Sequence, residues 1–156
     1  MGVWRHADWI DDRLLVGAVP TRRDLRRYEA RGVRAIVNMC EEFNGHCETV
    51  KKLNLTQLHL PTLDYHCPCE ADLRRGIAFI SESIATGAKV FIHCKAGRGR
   101  SAIMAICYLM ADKHIPVAEA ESIVRQARGH ISRRISQHDA VRAIEAAFSA
   151  HSNERP

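Results

Sequence analysis

The chain has 156 residues, 46% of them hydrophobic and 26% charged, a composition that fits one soluble globular domain over residues 1–156 and excludes a disordered or low-complexity chain. Its net charge of +5 suits an anionic partner, while the 6% aromatic content, with no interleaving of basic and aromatic residues, argues against nucleic acid and leaves phosphate or an acidic membrane surface.

The N-terminal stretch "MGVWRHADWIDD" has no apolar signal core, and it carries His6 where a myristoylation motif wants Ser or Thr. The longest apolar-rich uncharged run, residues 101–111, is far short of the roughly 18 residues needed to span a bilayer. As the sequence stands, an intracellular, cytoplasmic monomer is expected. Residues 12–18, "DRLLVGA", predict a strand, and Thr21 with Asp24 matches a capping box opening a helix. Residues 33–39 and 57–60 predict further strands, the second ending at Pro61, and residues 70–85 have helical spacing at Leu73, Ile77, Ile80 and Ile84. Residues 89–93 form a strand with too few polar residues to be exposed on either face. Three helices follow, over 100–112, 117–128 and 136–150. Alternating strands and helices with a helical C-terminal third predict an α/β fold with a central, largely parallel sheet.

The six cysteines, Cys40, Cys47, Cys67, Cys69, Cys94 and Cys107, are expected as free thiols in a chain with no secretory signal. Cys67-Pro68-Cys69 beside His66, with His46-Cys47 upstream, lacks the spacing of paired zinc hooks. No metal and no cofactor are expected.

The chemistry concentrates in "VFIHCKAGRGRSAI", residues 90–103. A buried strand, a glycine-containing loop and a helix start together make an anion cradle, because successive N–H groups face the loop centre and the helix terminus adds positive potential. The loop comprises Cys94, Lys95, Ala96, Gly97, Arg98 and Gly99, with Arg100 at the helix start; Gly97 and Gly99 are read as the residues allowing positive φ. The string is not the nucleotide-binding GxxxxGK[ST]. Here a thiol sits at the loop mouth, where the same field favours the nucleophilic thiolate. Arg100 can return its planar fork to two phosphate oxygens, which a lysine cannot match.

His93 to Ser101 resembles the HCxxGxxR[ST] signature of the cysteine-dependent protein tyrosine phosphatase superfamily, in its dual-specificity branch. The resemblance implies attack by Cys94 on phosphorus, a phosphocysteine intermediate, and hydrolysis by water. It also implies an aspartate acid about thirty residues upstream, a place that Asp64 fills in "LPTLD"; its rival, Asp72, falls within a predicted helix. Ser101 would hydrogen-bond the Cys94 sulfur, its alternative being a helix cap, and His93 would organise the loop.

The strings "DDRLLVGAVP", "VNMCEEF", "LPTLD", "HCKAGRGRS" and "ISRRISQHDAV" are most similar to the mitochondrial-type phosphatidylglycerophosphate phosphatases. That likeness implies a brace on the phosphate loop from Glu41-Glu42, against the reading of an exposed turn. It also implies a water-positioning role for Gln137, against a surface helix residue, and a mitochondrial or membrane-peripheral location with contact to anionic membrane. Lys95 and Arg98 add positive charge that suits a lipid or polyphosphorylated substrate. Phosphatidylglycerophosphate is the first expectation. A phosphoinositide, a phosphotyrosine or phosphothreonine protein, and a silent phosphate-binding module are the alternatives.

Overall fold

The computed structural model describes residues 6–150. The reading of the N-terminus as lacking a signal core falls partly on residues 1–5, outside the described residues. Strands β1 (Ala7–Trp9) and β2 (Leu14–Gly17) form an antiparallel hairpin. Asp11 turns it by accepting the N–H groups of Arg13 at 2.8 Å and Leu14 at 2.9 Å, the local bonding that suits Asp to turns. Helix α1 (Arg22–Ala30) opens with the expected capping box: the Thr21 hydroxyl accepts from the Asp24 N–H at 3.0 Å and the Asp24 carboxylate from the Thr21 N–H at 2.9 Å.

Next come β3 (Val33–Cys40), a short α2 (Cys47–Lys52), β4 (Thr56–Thr62), α3 (Glu70–Ala85) and β5 (Lys89–His93). Helices α4 (Arg100–Lys113), α5 (Val117–Ala127) and α6 (Asp139–Ala150) follow. The sheet order is β1-β2-β5-β3-β4, with every pairing parallel except β1 with β2. The α/β reading with a largely parallel sheet holds, and β5 lies between β2 and β3, covered on both faces.

Side-chain alternation along the strands divides the core. Leu14, Val16, Val37, Val90 and Ile92 belong to the core under α3 and α4, on which α5 and α6 pack, while Leu15, Val33, Ile36 and Phe91 pack against Leu25 and Tyr28 of α1. Every residue of α4 from Arg100 to Met110 is buried. At about 1.5–3 kcal/mol for each large apolar side chain buried, this packing anchors the helix whose first residue is Arg100.

Two expectations need correction, and two short elements were not foreseen. Strand β4 continues past Pro61 to Thr62; it lies at the sheet edge, where a residue without an N–H is tolerated. The helix expected over 136–150 is two elements: a 3-10 turn over Ile135–Gln137, then His138 in extended conformation, then α6. Ile135 is fully buried, so the chain is tied to the core there and the helix restarts. Strand β1 and helix α2, at three and six residues, are too short for hydrophobic periodicity to register.

Candidate active site

At the C-terminal end of β5 the chain leaves His93 and turns through residues 94–99 into α4. Four successive carbonyls of this loop accept hydrogen bonds from outside it. Lys95 O accepts from the Val19 N–H at 3.2 Å and Arg98 O from the Ser132 N–H at 2.7 Å. Ala96 O accepts from Arg128 Nη2 at 3.1 Å and Gly97 O from Arg128 Nε at 2.6 Å. In a trans peptide the C=O and the following N–H point in opposite directions, so drawing these carbonyls outward turns the N–H groups of residues 96–99 toward the cradle. Gly97 makes the turn at φ +69°, and a Cβ there would collide with the Gly17 carbonyl carbon and lie 2.6 Å from Arg128 Nη2. Gly99 does not use positive φ, contrary to expectation: it sits at φ −112° as the residue before α4.

Cys94 lies beneath this cradle, 3% exposed. Its Sγ is 3.3 Å from Ser101 Oγ, and Ser101 belongs to α4 rather than capping it. His93 is buried, stacked on Phe91 with ring centroids 5.3 Å apart, and burial pushes its imidazole down to about 4. An imidazole held that low is neutral at physiological pH.

The Arg100 guanidinium is 2% exposed and surrounded by acceptors. Nη1 donates to Glu42 Oε2 at 2.9 Å and to the Thr62 carbonyl at 2.7 Å, while Nη2 donates to Glu42 Oε1 at 2.7 Å and lies 3.1 Å from Asp64 Oδ1. Its buried Nε–H has no hydrogen-bond partner, leaving a donor for an anion in the cradle. The hydrogen bonds from Arg100 hold the Glu42 carboxyl down at about 2. Of the acidic pair, Glu42 makes the side-chain brace; Glu41 is exposed and joins through its N–H, which donates to Thr62 O at 3.3 Å. Asp72 is drawn to Arg75 on the surface of α3, at 3.2 Å, whereas Asp64 stands at the end of β4 beside Arg100.

Lys95 and Ala96 are exposed at the rim and Arg98 is half-buried. Gln137 is exposed on the 3-10 turn, with its backbone N–H on Arg134 O at 3.0 Å.

Sequence reading missed three contributors. Arg128, 7% exposed, bridges two loop carbonyls to Asp8, with Nη1 2.8 Å from Asp8 Oδ2. Asp8 lies on the unforeseen strand β1. Asn38 is fully buried: its amide donates to Phe43 O at 2.7 Å and its side-chain oxygen accepts from the Cys40 N–H at 2.9 Å, at an irregularity in the β3–β4 register. It thereby shapes the turn that presents Glu42. A buried polar residue in an apolar strand was the available signal for Asn38; nothing local marked Arg128. All six cysteines are free thiols, and burial pushes Cys40 up to about 12 and Cys67 up to about 11.

Comparison with known proteins agrees with this geometry. Residues 14–147 match the family of the dual specificity phosphatase catalytic domain. The chain is 34% identical over 149 residues to phosphatidylglycerophosphate phosphatase PTPMT2 of Arabidopsis thaliana, covering 94% of this chain and 64% of that protein. It is 36% identical over 155 residues to phosphatidylglycerophosphatase and protein-tyrosine phosphatase 1 of Mus musculus, covering 93% and 80% respectively. The chain thus spans a little under two thirds of the plant relative and four fifths of the mouse one. The crystal structure of PTPMT1 in complex with PI(5)P superposes with a TM-score of 0.87 at 32% identity, over 95% of this chain and 99% of that one. The chain therefore belongs to the dual-specificity phosphatase catalytic-domain family of cysteine-dependent phosphatases.

Proposed function

We propose that the chain, acting as a monomeric catalytic domain, hydrolyses the phosphomonoester of an anionic phospholipid, with phosphatidylglycerophosphate the favoured substrate. The observation that carries the chemistry is the buried Cys94 sulfur, 3.3 Å from Ser101 Oγ, beneath a loop whose carbonyls are drawn outward. In the first step the Cys94 thiolate forms an S–P bond as the P–O bond to the alcohol breaks, and Asp64 delivers a proton to the departing oxygen. Arg100 and the loop N–H groups hold the equatorial oxygens. In the second step Asp64 takes a proton from water as it attacks phosphorus, with Gln137 orienting that water. The S–P bond breaks, Ser101 donates a hydrogen bond to the leaving sulfur, and inorganic phosphate departs. No metal or cofactor takes part in this scheme. Glu42 keeps Arg100 in place between turnovers.

The lipid assignment is supported by the names of the plant and mouse relatives, by the phosphoinositide in the PTPMT1 complex, and by the cations Lys95 and Arg98 in and beside the cradle. Such an enzyme works at the periphery of an anionic membrane; among the described residues no helix is long and apolar enough to cross one. The test is phosphate release, with EDTA present and Cys94→Ser as control, from phosphatidylglycerophosphate, a phosphoinositide series and a phosphotyrosine peptide. Preference for phosphatidylglycerophosphate supports the reading; preference for the peptide transfers the same chemistry to protein substrates, and phosphate binding unaccompanied by turnover makes the chain a binding module.

A further inference from the structure

The turn carrying Asp64 displays two apolar side chains. Among the described residues, the large hydrophobics exposed to solvent are Leu63, at 53%, and Tyr65, at 97%. Single exposed apolar residues are ordinary, but these two flank the candidate acid of the site. The turn is built rather than loose: the His66 N–H donates to Leu63 O at 3.1 Å, the Tyr65 N–H to Asp64 Oδ1 at 3.0 Å, and His66 Nδ1 lies 3.0 Å from Asp64 O. Tyr65 adopts φ +63°, a conformation that disfavours bulky residues. A chain serving only the turn's geometry does better with Asn or Gly at that position.

The same end of the molecule carries exposed cations. Asp64 follows β4 and the cradle follows β5, so both lie at the C-terminal edge of the parallel strands. Lys95 is exposed on the cradle itself, and exposed Arg133 and Arg134 directly follow Ser132, whose N–H is bonded to Arg98 O at 2.7 Å. An aromatic residue with a polar tip beside an aliphatic one, next to basic residues, matches the chemistry of a bilayer interface: the rings settle at headgroup depth and the cations face anionic lipid.

Resting on the lipid-phosphatase reading, we infer that Leu63 and Tyr65 are a membrane-docking tip that inserts into the surface of an anionic phospholipid bilayer, with Lys95, Arg133 and Arg134 holding the site mouth against it. Insertion places Asp64 at headgroup level, where a lipid phosphate enters the cradle without leaving the bilayer.

The experiment pairs the whole chain with a Leu63→Gln/Tyr65→Asn variant, Asn being tolerant of the left-handed conformation. Binding is read by co-sedimentation with vesicles of phosphatidylcholine containing phosphatidylglycerol, which hold no cleavable phosphomonoester. The variant is expected to partition at least about tenfold more weakly and to lose turnover of vesicle-embedded phosphatidylglycerophosphate in proportion. Its turnover of soluble short-chain phosphatidylglycerophosphate is expected to stay at the level of the unmodified chain. Equal vesicle binding by the two proteins overturns the inference, as does an equal fall on the soluble substrate, which would place these side chains on the substrate instead. A selective loss of phosphotyrosine-peptide turnover also overturns it, making the tip a protein-docking element. The two readings fail separately. A chain that hydrolyses soluble phosphatidylglycerophosphate but ignores vesicles refutes the tip alone, and one that binds vesicles but cleaves only phosphopeptide refutes the lipid substrate alone.

Discussion

Arg100 and Arg128 are both buried arginines in contact with the loop or its helix start, and their partners differ in kind. Arg100 meets carboxylates, Glu42 and Asp64, together with one carbonyl, and keeps its Nε–H unpartnered. Arg128 meets two loop carbonyls and Asp8. The first set occupies both Nη groups and leaves Nε–H as the donor without a partner; the second holds the loop backbone in the orientation that makes a cradle. The same guanidinium thus meets carboxylates in one place and loop carbonyls in the other; in the proposed scheme the first binds phosphate and the second sets backbone shape.

The sharpest test of that contrast is Arg100→Lys, which should lower kcat/KM, measured on the folded fraction, about a hundred- to a thousandfold by removing a planar donor pair from the transition state. A comparable activity would mean that a point charge suffices at this position. Asp64→Ala probes the acid next to the same guanidinium: kcat on alkyl phosphates should fall about a hundredfold, and much less on an aryl phosphate whose leaving group needs no proton. Equal losses on both substrates remove Asp64 from proton transfer.

Arg128→Met breaks the backbone grip. Leaving Asp8 and two carbonyls without their partner should cost about 3–5 kcal/mol of stability and, by letting the loop shift, about tenfold in kcat. Asp8→Asn on its own, which keeps Arg128 on the two carbonyls and leaves it an acceptor, should cost much less of both; denaturant titration and single-turnover rates read the two effects apart. If Arg128→Met instead lowers stability with an unchanged rate in the folded fraction, Arg128 is structural alone.

Glu42→Gln should have the smallest effect, under about tenfold on kcat, since an exposed partner contributes little. Its pH dependence gives a second reading. Because the Glu42 carboxyl is depressed from 4.5 to about 2, its contribution to stability is fully present above about pH 4.5 and lost as pH falls toward 2. The stability gap between the unmodified chain and Glu42→Gln should therefore be flat at neutral pH and close on acidification in a titrated melting series. A gap that changes near neutrality assigns the effect to another group.

Much of this site was legible because it is continuous in the chain. Strand β5, the loop and α4 lie within 25 residues, from Lys89 to Lys113, and strand, glycine loop and helix start each leave a local signature. Glu42 and Asp64 were reached through resemblance to a family, and the structure then separated Glu42, whose carboxylate pairs with Arg100, from Glu41, which joins through its backbone N–H. The distal half of the loop's support was not legible. Arg128 and Asp8 stand 120 positions apart, and neither belongs to a pattern that periodicity or motif spacing can detect. The continuous helix expected over 136–150 failed for a related reason: burial of Ile135 overrode helical propensity at His138.

By itself the sequence determined the strand, loop and helix around Cys94, the parallel α/β layout and the chemical type of the site, because apolar periodicity and glycine placement act through neighbouring residues. Only the tertiary structure decided which carboxylate holds Arg100, that Arg128 and Asp8 turn the loop carbonyls outward, and that Leu63 and Tyr65 stand exposed beside the acid. Those outcomes depend on hydrogen bonds and burial between segments far apart in the chain, and such pairings exist only once the sheet has brought its strand ends to one edge.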